Sequence, residues 1–145
     1  IYYNIAYGKE GGEGEVTEAQ VHEAARAAAI HGPVMTMKDG YQTKVGERGL
    51  KLSGGEKQRV ALARAFLKGA GVVLMDEATA NVDQKTDRLV QRVLNGGALG
   101  GATRITIAHR LGTIAACDAV AVLDDGKLLE FACTTFLANC IIIWV

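Results

Sequence analysis

The sequence predicts an α/β protein: a helical first part followed by a mostly parallel sheet that ends in an antiparallel hairpin. Three observations carry this reading. Up to about residue 70 the apolar residues recur at helical spacing. After residue 70 short apolar runs alternate with helical stretches, the pattern of a parallel sheet with crossover helices. Near the end, Asp125-Gly126 separates two apolar runs, which is a two-residue hairpin signal.

The elements follow in order. Ile1 to Gly8 is apolar and aromatic, and Lys9 to Glu15 is a Gly/Glu loop. Thr17 can cap a helix reaching Ile30, with Val21, Ala24, Ala25 and Ala28 on one face and Gly32-Pro33 ending it. Asp39-Gly40 marks a turn, and Gly46 and Gly49 bracket a polar loop. Ser53 is a natural N-cap whose partner three residues on is Glu56, so a capping box opens a helix from Gly54 to about Lys68, stopped by Gly69 and Gly71. Val72 to Met75 is a continuous apolar run of the kind buried on both faces of a parallel sheet. A helix from Gln84 to about Leu94 follows, with Asp83 as a candidate N-cap. Then come a strand at Arg104–Ala108, a short helix around Leu111–Ala116, a strand at Ala119–Leu123 and the hairpin partner at Lys127–Phe131. The division is therefore residues 1–70, a helical subdomain; 71–131, part of an α/β core; and 132–145, a tail.

Bulk properties narrow the function classes. A chain of 145 residues with 49% hydrophobic residues suffices for an ordinary core. The formal net charge is zero, without the basic excess of a nucleic-acid binder. Cys117, Cys133 and Cys140 lack metal-ligand spacing, and so sparse and odd a set suits a reducing compartment. No apolar run is long enough to span a bilayer. The chain opens at Ile1, inside what reads as an element, so it is expected to be a piece of something longer. Tyr41 reads as a core or interface aromatic, and His22 and His31 as surface residues.

Four groups of residues could carry chemistry. Ser53-Gly54-Gly55 places a hydroxyl and open backbone amides at a helix start, where the helix dipole favours an anion such as a phosphate; a capped helix with a flexible entry is the plainer alternative. Asp76-Glu77 follows the apolar strand, and the carboxyl ends of parallel strands are where α/β sheets bind ligands. One carboxylate there could hold Mg²⁺ and the other could activate a water for attack on a γ-phosphate, while a capping Asp and a solvated Glu are the alternative. His109, at the end of the Arg104–Ala108 strand, would point into the same crevice if the strands are parallel neighbours, although a lone His is more often structural. Asp83 can cap its helix with or without a further role.

Taken together, these residues resemble the ATP-binding-cassette (ABC) ATPases. Leu52 to Gln58, LSGGEKQ, is similar to the signature motif, and Val72 to Glu77, VVLMDE, to the Walker B strand with its glutamate. Ala80 to Asp83, ANVD, resembles the D-loop, and His109 in IAHRL matches the H-loop histidine. Thr43 to Gly49, TKVGERG, resembles the X-loop of exporters. Ile1 to Gly8 looks like the segment after the Q-loop in mitochondrial and heavy-metal-tolerance half-transporters, whereas DEATANVD is closer to the C-type exporters; the balance favours the B type. The resemblance covers about Ile1 to Phe131. The Walker A loop, the adenine-stacking aromatic and the Q-loop glutamine would lie upstream of it, and ACTTFLANCIIIWV stands where the family continues with a turn and a helix.

The resemblance implies a P-loop NTPase fragment, a helical subdomain plus part of a mostly parallel RecA-like sheet, with ATP and Mg²⁺ as cofactors. Two cassettes would sandwich two ATP molecules. Leu52, Ser53, Gly54, Gly55, Glu56 and Gln58 would meet the ATP on the partner's P-loop. Asp76 would help hold Mg²⁺, Glu77 would be the general base, His109 would sense the γ-phosphate and Asp83 would link the two sites. Its partners would be a second nucleotide-binding domain and a transmembrane domain reached through the Glu47 region, with no nucleic acid. The cassette would lie on the cytosolic or organelle-matrix side of a membrane, the mitochondrial inner membrane or the vacuole being consistent with the B type. Alone, the fragment is expected to lack measurable ATPase activity, to bind nucleotide weakly and to expose an open sheet edge. A chromosome-structural or DNA-repair ATPase head, and a non-catalytic fragment that docks a full cassette, are the alternatives.

Overall fold

A computed structural model describes residues 1–9, 16–99, 101–107, 117–133 and 140–144. The chain forms two compact units, Ile1–Gly69 with Thr79–Val93, and Ala70–Ala78 with Leu94–Val145.

The first unit is helical: α1 (Tyr2–Ala6), α2 (Glu18–Ala27), α3 (His31–Thr36), α4 (Gly54–Lys68) and α5 (Gln84–Asn95), whose last two residues fall with the second unit. Thr17 and Gln20 form a full capping box for α2, and Val21, Ala24 and Ala25 turn inward. The helix expected to reach Ile30 stops earlier. Ala29 takes a left-handed conformation (φ 56°), the Ala29 N–H donates to Arg26 O, and the Ile30 N–H to Ala25 O. These paired bonds make a Schellman ending with alanine where glycine is usual. Gly32-Pro33 does not end a helix but lies in the first turn of α3, where the missing proline N–H has no helical acceptor to lose. His22 and His31 are likewise not plain surface residues. The His22 ring stacks on Tyr41 at 4.3 Å, and His31 Nδ1 lies 2.8 Å from the Tyr41 hydroxyl.

Helix α4 spans the expected residues and ends on left-handed Gly69 (φ 63°, ψ 37°). Fully buried Ile5 roots α1 in the core. Arg64 of α4 brackets α1, donating from Nε to Asn4 O at 2.7 Å and from Nη2 to Asn4 Oδ1 at 3.1 Å. A Cβ at Gly8 would collide with the backbone carbonyl of Arg64, so this approach needs glycine.

Among the described residues the second unit holds a five-stranded sheet: β1 (Val72–Asp76), β2 (Thr103–Ile107), β3 (Ala119–Asp124), β4 (Lys127–Cys133) and β5 (Cys140–Trp144), in the order β1-β2-β5-β3-β4. β1, β2, β5 and β3 run parallel, and β4 is antiparallel to β3. The hairpin turn is as expected: Asp125 (φ 46°) and Gly126 (φ 71°) are both left-handed, which matches the twist of the strands they join. The expectation that β1 is buried on both faces fails. Val73 and Met75 are buried, but Val72 is 59% exposed and Leu74 is 74% exposed.

β5 was not expected as a strand. It comes from the divergent tail and enters between β2 and β3, with Ile142 opposite both Thr106 and Val120. Among the described residues it is the strand that joins the β1-β2 pair to the β3-β4 hairpin. Cys133 pairs with Ala119, and Ala119 pairs with Ile141, so β4 ends at the level where β5 begins. The two are then about 10 Å apart, two strand spacings, well within the reach of six residues. Among the described residues the sheet edges are the outer sides of β1 and β4. The helix expected at Leu111–Ala116 lies outside the described residues.

Candidate functional site

In the first unit the candidate residues gather at the start of α4. Ser53 is extended (φ −62°, ψ 162°), and its Oγ accepts the Glu56 N–H at 3.3 Å. The Glu56 carboxylate in turn accepts the Ser53 N–H at 2.8 Å and the Ser53 hydroxyl at 2.7 Å. The expected capping box is therefore complete. These bonds, those from the Ser53 hydroxyl foremost, hold the Glu56 carboxyl below the usual carboxylate range. Gly54 and Gly55 follow as the first two helical residues, whose amides have no intrahelical acceptor. Such a turn presents donors and a partial positive charge to an anion. Leu52, beside it, is buried and anchors the entry.

The second glycine has a packing reason of its own. A Cβ on Gly55 would lie 2.7 Å from Asn81 O, closer than side-chain carbons come, whereas one on Gly54 would sit 3.6 Å from Asn81 Cβ in ordinary contact. The Asn81 N–H donates to Gln58 Oε1 at 3.0 Å. Sequence periodicity gave no hint of these contacts, because Asn81 takes part mainly through its backbone. Two residues later Asp83 caps α5, its Oδ1 accepting the Lys85 and Thr86 N–H groups at 3.1 and 3.0 Å. The Thr86 bonds, first among the causes, hold the Asp83 carboxyl low. Glu47 is exposed, in a short 3-10 turn between left-handed Gly46 and Gly49.

In the second unit Asp76 is the last residue of β1 and Glu77 the next, both exposed at the strand's carboxyl end. The Glu77 N–H continues the ladder to Ile107 O at 3.2 Å while its φ is 44°. A left-handed non-glycine residue is uncommon and costs energy, and such residues cluster at functional sites. His109 lies outside the described residues. Among the described residues no group of three or more His, Cys, Asp and Glu side chains could cage a metal. One carboxylate of this pair, Asp76, would fit Mg²⁺ that takes its other oxygens from phosphate and water.

Comparison with known proteins gives a consistent picture. The family model described as ABC transporter matches residues 8–80. The chain is 51% identical over 130 residues to ABC transporter B family member 24, mitochondrial, of Arabidopsis thaliana, covering 90% of this chain and 18% of that protein. It is 48% identical over 130 residues to the Heavy metal tolerance protein of Schizosaccharomyces pombe, covering 90% of this chain and 15% of that one. Among solved structures it resembles a bacterial Atm1-family ABC exporter with ATP bound, with a TM-score of 0.82 and 47% identity, over 91% of this chain and 22% of the exporter. The chain thus spans less than a fifth of the length of these two curated relatives and under a quarter of that exporter.

Proposed function

The chain belongs to the ABC transporter family, and from that premise we propose that it carries the signature-bearing part of an ATP-hydrolysing exporter cassette. ATP bound on a partner's P-loop is met by the start of α4, where Ser53 and the Gly54 and Gly55 amides face the γ-phosphate. The capped but open first turn of α4 is the observation that supports this reading best. Leu52 and Glu56 fix the turn from either side. Asp76 and Glu77 serve a different nucleotide, the one bound to the P-loop of the same cassette. There Asp76 would hold Mg²⁺, directly or through water, and Glu77 would take a proton from the attacking water as the phosphoryl group leaves. Mg²⁺, when bound, would neutralise charge on the phosphate oxygens. His109 would contact the γ-phosphate, and Asp83 would connect the two sites.

The partners in this reading are a second nucleotide-binding domain and a transmembrane domain, the latter reached through the exposed Glu47 turn. The cassette works at a membrane, on its cytosolic or matrix side. The similarity to B-family and Atm1-family proteins favours a half-transporter of the mitochondrial or heavy-metal-tolerance kind. Most phosphate contacts in such enzymes come from the P-loop, and residues 1–145 hold no P-loop motif, so these residues by themselves would not hydrolyse ATP. Adding it to a P-loop-bearing cassette whose own signature serine is disabled should restore ATP hydrolysis. A rate unchanged at saturating chain would refute the reading.

A further inference from the structure

We propose that Gln58 is a positioning residue that ties the Ala80–Asp83 segment to the phosphate-facing start of α4, so that both enter and leave a nucleotide site as one piece. This rests on the signature reading above. Gln58 lies beyond the first turn of α4, and its side-chain carbonyl accepts the Asn81 N–H at 3.0 Å across 23 positions of sequence. Gly55 faces the Asn81 carbonyl so closely that no side chain fits between them, and Gly54 faces its Cβ. Asn81 is thus bonded at its amide by one residue of α4 and covered at its carbonyl and Cβ by two others.

The segment has little freedom on either side of that grip. The Val82 N–H closes a turn onto Thr79 O at 3.1 Å, and Val82 is buried. Asp83 is held by its capping bonds to α5. A displacement of α4 at its first turn must therefore carry Asn81 and Asp83 with it. The Asn81–Gln58 bond is exposed, so water can replace it at small cost to folding. Its worth lies in fixing where the segment sits. Gln58, counted among the nucleotide-contacting residues of the signature by sequence, is here given to its own chain.

Two substitutions separate the acceptor from the side-chain volume. Gln58→Glu keeps an oxygen for the Asn81 N–H, and Gln58→Leu keeps the size but removes the acceptor. In the 145-residue chain, amide exchange followed by NMR should quicken at Asn81 by up to about tenfold in Gln58→Leu, the equivalent of one hydrogen bond, and stay near wild type in Gln58→Glu. The Leu62 and Ala63 amides, deep in α4, should not change. In the restored ATPase assay, at matched folded fraction, Gln58→Leu should lower kcat with KM for ATP unchanged, and Gln58→Glu should recover it. Unchanged exchange at Asn81, or a Glu variant no better than Leu in both readouts, overturns the proposal. If the wild-type chain restores no hydrolysis, the signature reading fails and the positioning role falls with it. The exchange result then speaks only to the contact.

Discussion

Ser53 and Glu56 hold each other across the first turn of α4. The serine hydroxyl and amide both donate to one carboxylate oxygen, at 2.7 and 2.8 Å, while the Glu56 amide donates back to Ser53 Oγ. The hydroxyl has one proton, and it is donated in a hydrogen bond to Glu56 Oε2. Ser53 can donate to a phosphate only by turning that proton away from Glu56, so the proposed anion site and the helix cap draw on the same atom.

The pair makes the start of α4 sensitive to acid. The Glu56 carboxyl titrates below its ordinary value of 4.5 because Ser53 stabilises the charged form. A depressed folded-state value gives stability that is present above the unfolded value and lost as pH falls through the folded one. Wild type should therefore lose stability below about pH 4.5 more steeply than Glu56→Gln does. Denaturant melts at pH 7, 5, 4 and 3 check this; parallel curves for the two proteins would contradict it.

The two signature glycines should respond differently to alanine. Ala is a better helix former than Gly by about 1 kcal/mol, and position 54 has room for a methyl group. Gly54→Ala should therefore be neutral or mildly stabilising. Gly55→Ala forces a carbon against Asn81 O and should cost about 1–3 kcal/mol as overpacking. Chemical denaturation of both variants decides it, and equal effects would show that the Asn81 contact yields freely.

The tail should matter to the second unit alone. Ile142 pairs with β2 on one side and β3 on the other, and proline there removes a ladder donor from an interior strand. In Ile142→Pro, amide protection should fall in Arg104–Ile107 and Ala119–Val122, while α2 and α4 keep theirs. Wild-type protection in β2 and β3 would mean that β5 does not hold the sheet together.

Much of this architecture is written locally. The box at Ser53 and Glu56, the stop at Gly69 and the Asp125-Gly126 turn are short-range signals, and each lies where the residues predict. The misses are long-range or lack a side-chain signature. Ala29 ends α2 through backbone conformation alone, at a residue type that carries no stop signal. β1 has an apolar run fit for two buried faces, yet in this chain only one is covered. β5 pairs with strands from elsewhere in the chain, and its short apolar run does not say with what it pairs. The Asn81–Gln58 bond joins a backbone amide to a side chain 23 positions away, which no periodicity can reveal. His109, expected from its motif, lies outside the described residues.

Ser53–Gly55 and Asp76–Glu77 are proposed to serve two different nucleotides. The most direct test adds the chain to a P-loop-bearing cassette with a disabled signature and compares Ser53→Arg with Glu77→Gln. In the proposed arrangement the ATP completed by this chain's signature would sit on the partner's P-loop beside the partner's own glutamate. Ser53→Arg should therefore abolish the restored hydrolysis, while Glu77→Gln should leave it within about twofold, less than 0.5 kcal/mol in the barrier. Loss of activity in both variants would place the two groups at one nucleotide and contradict the account.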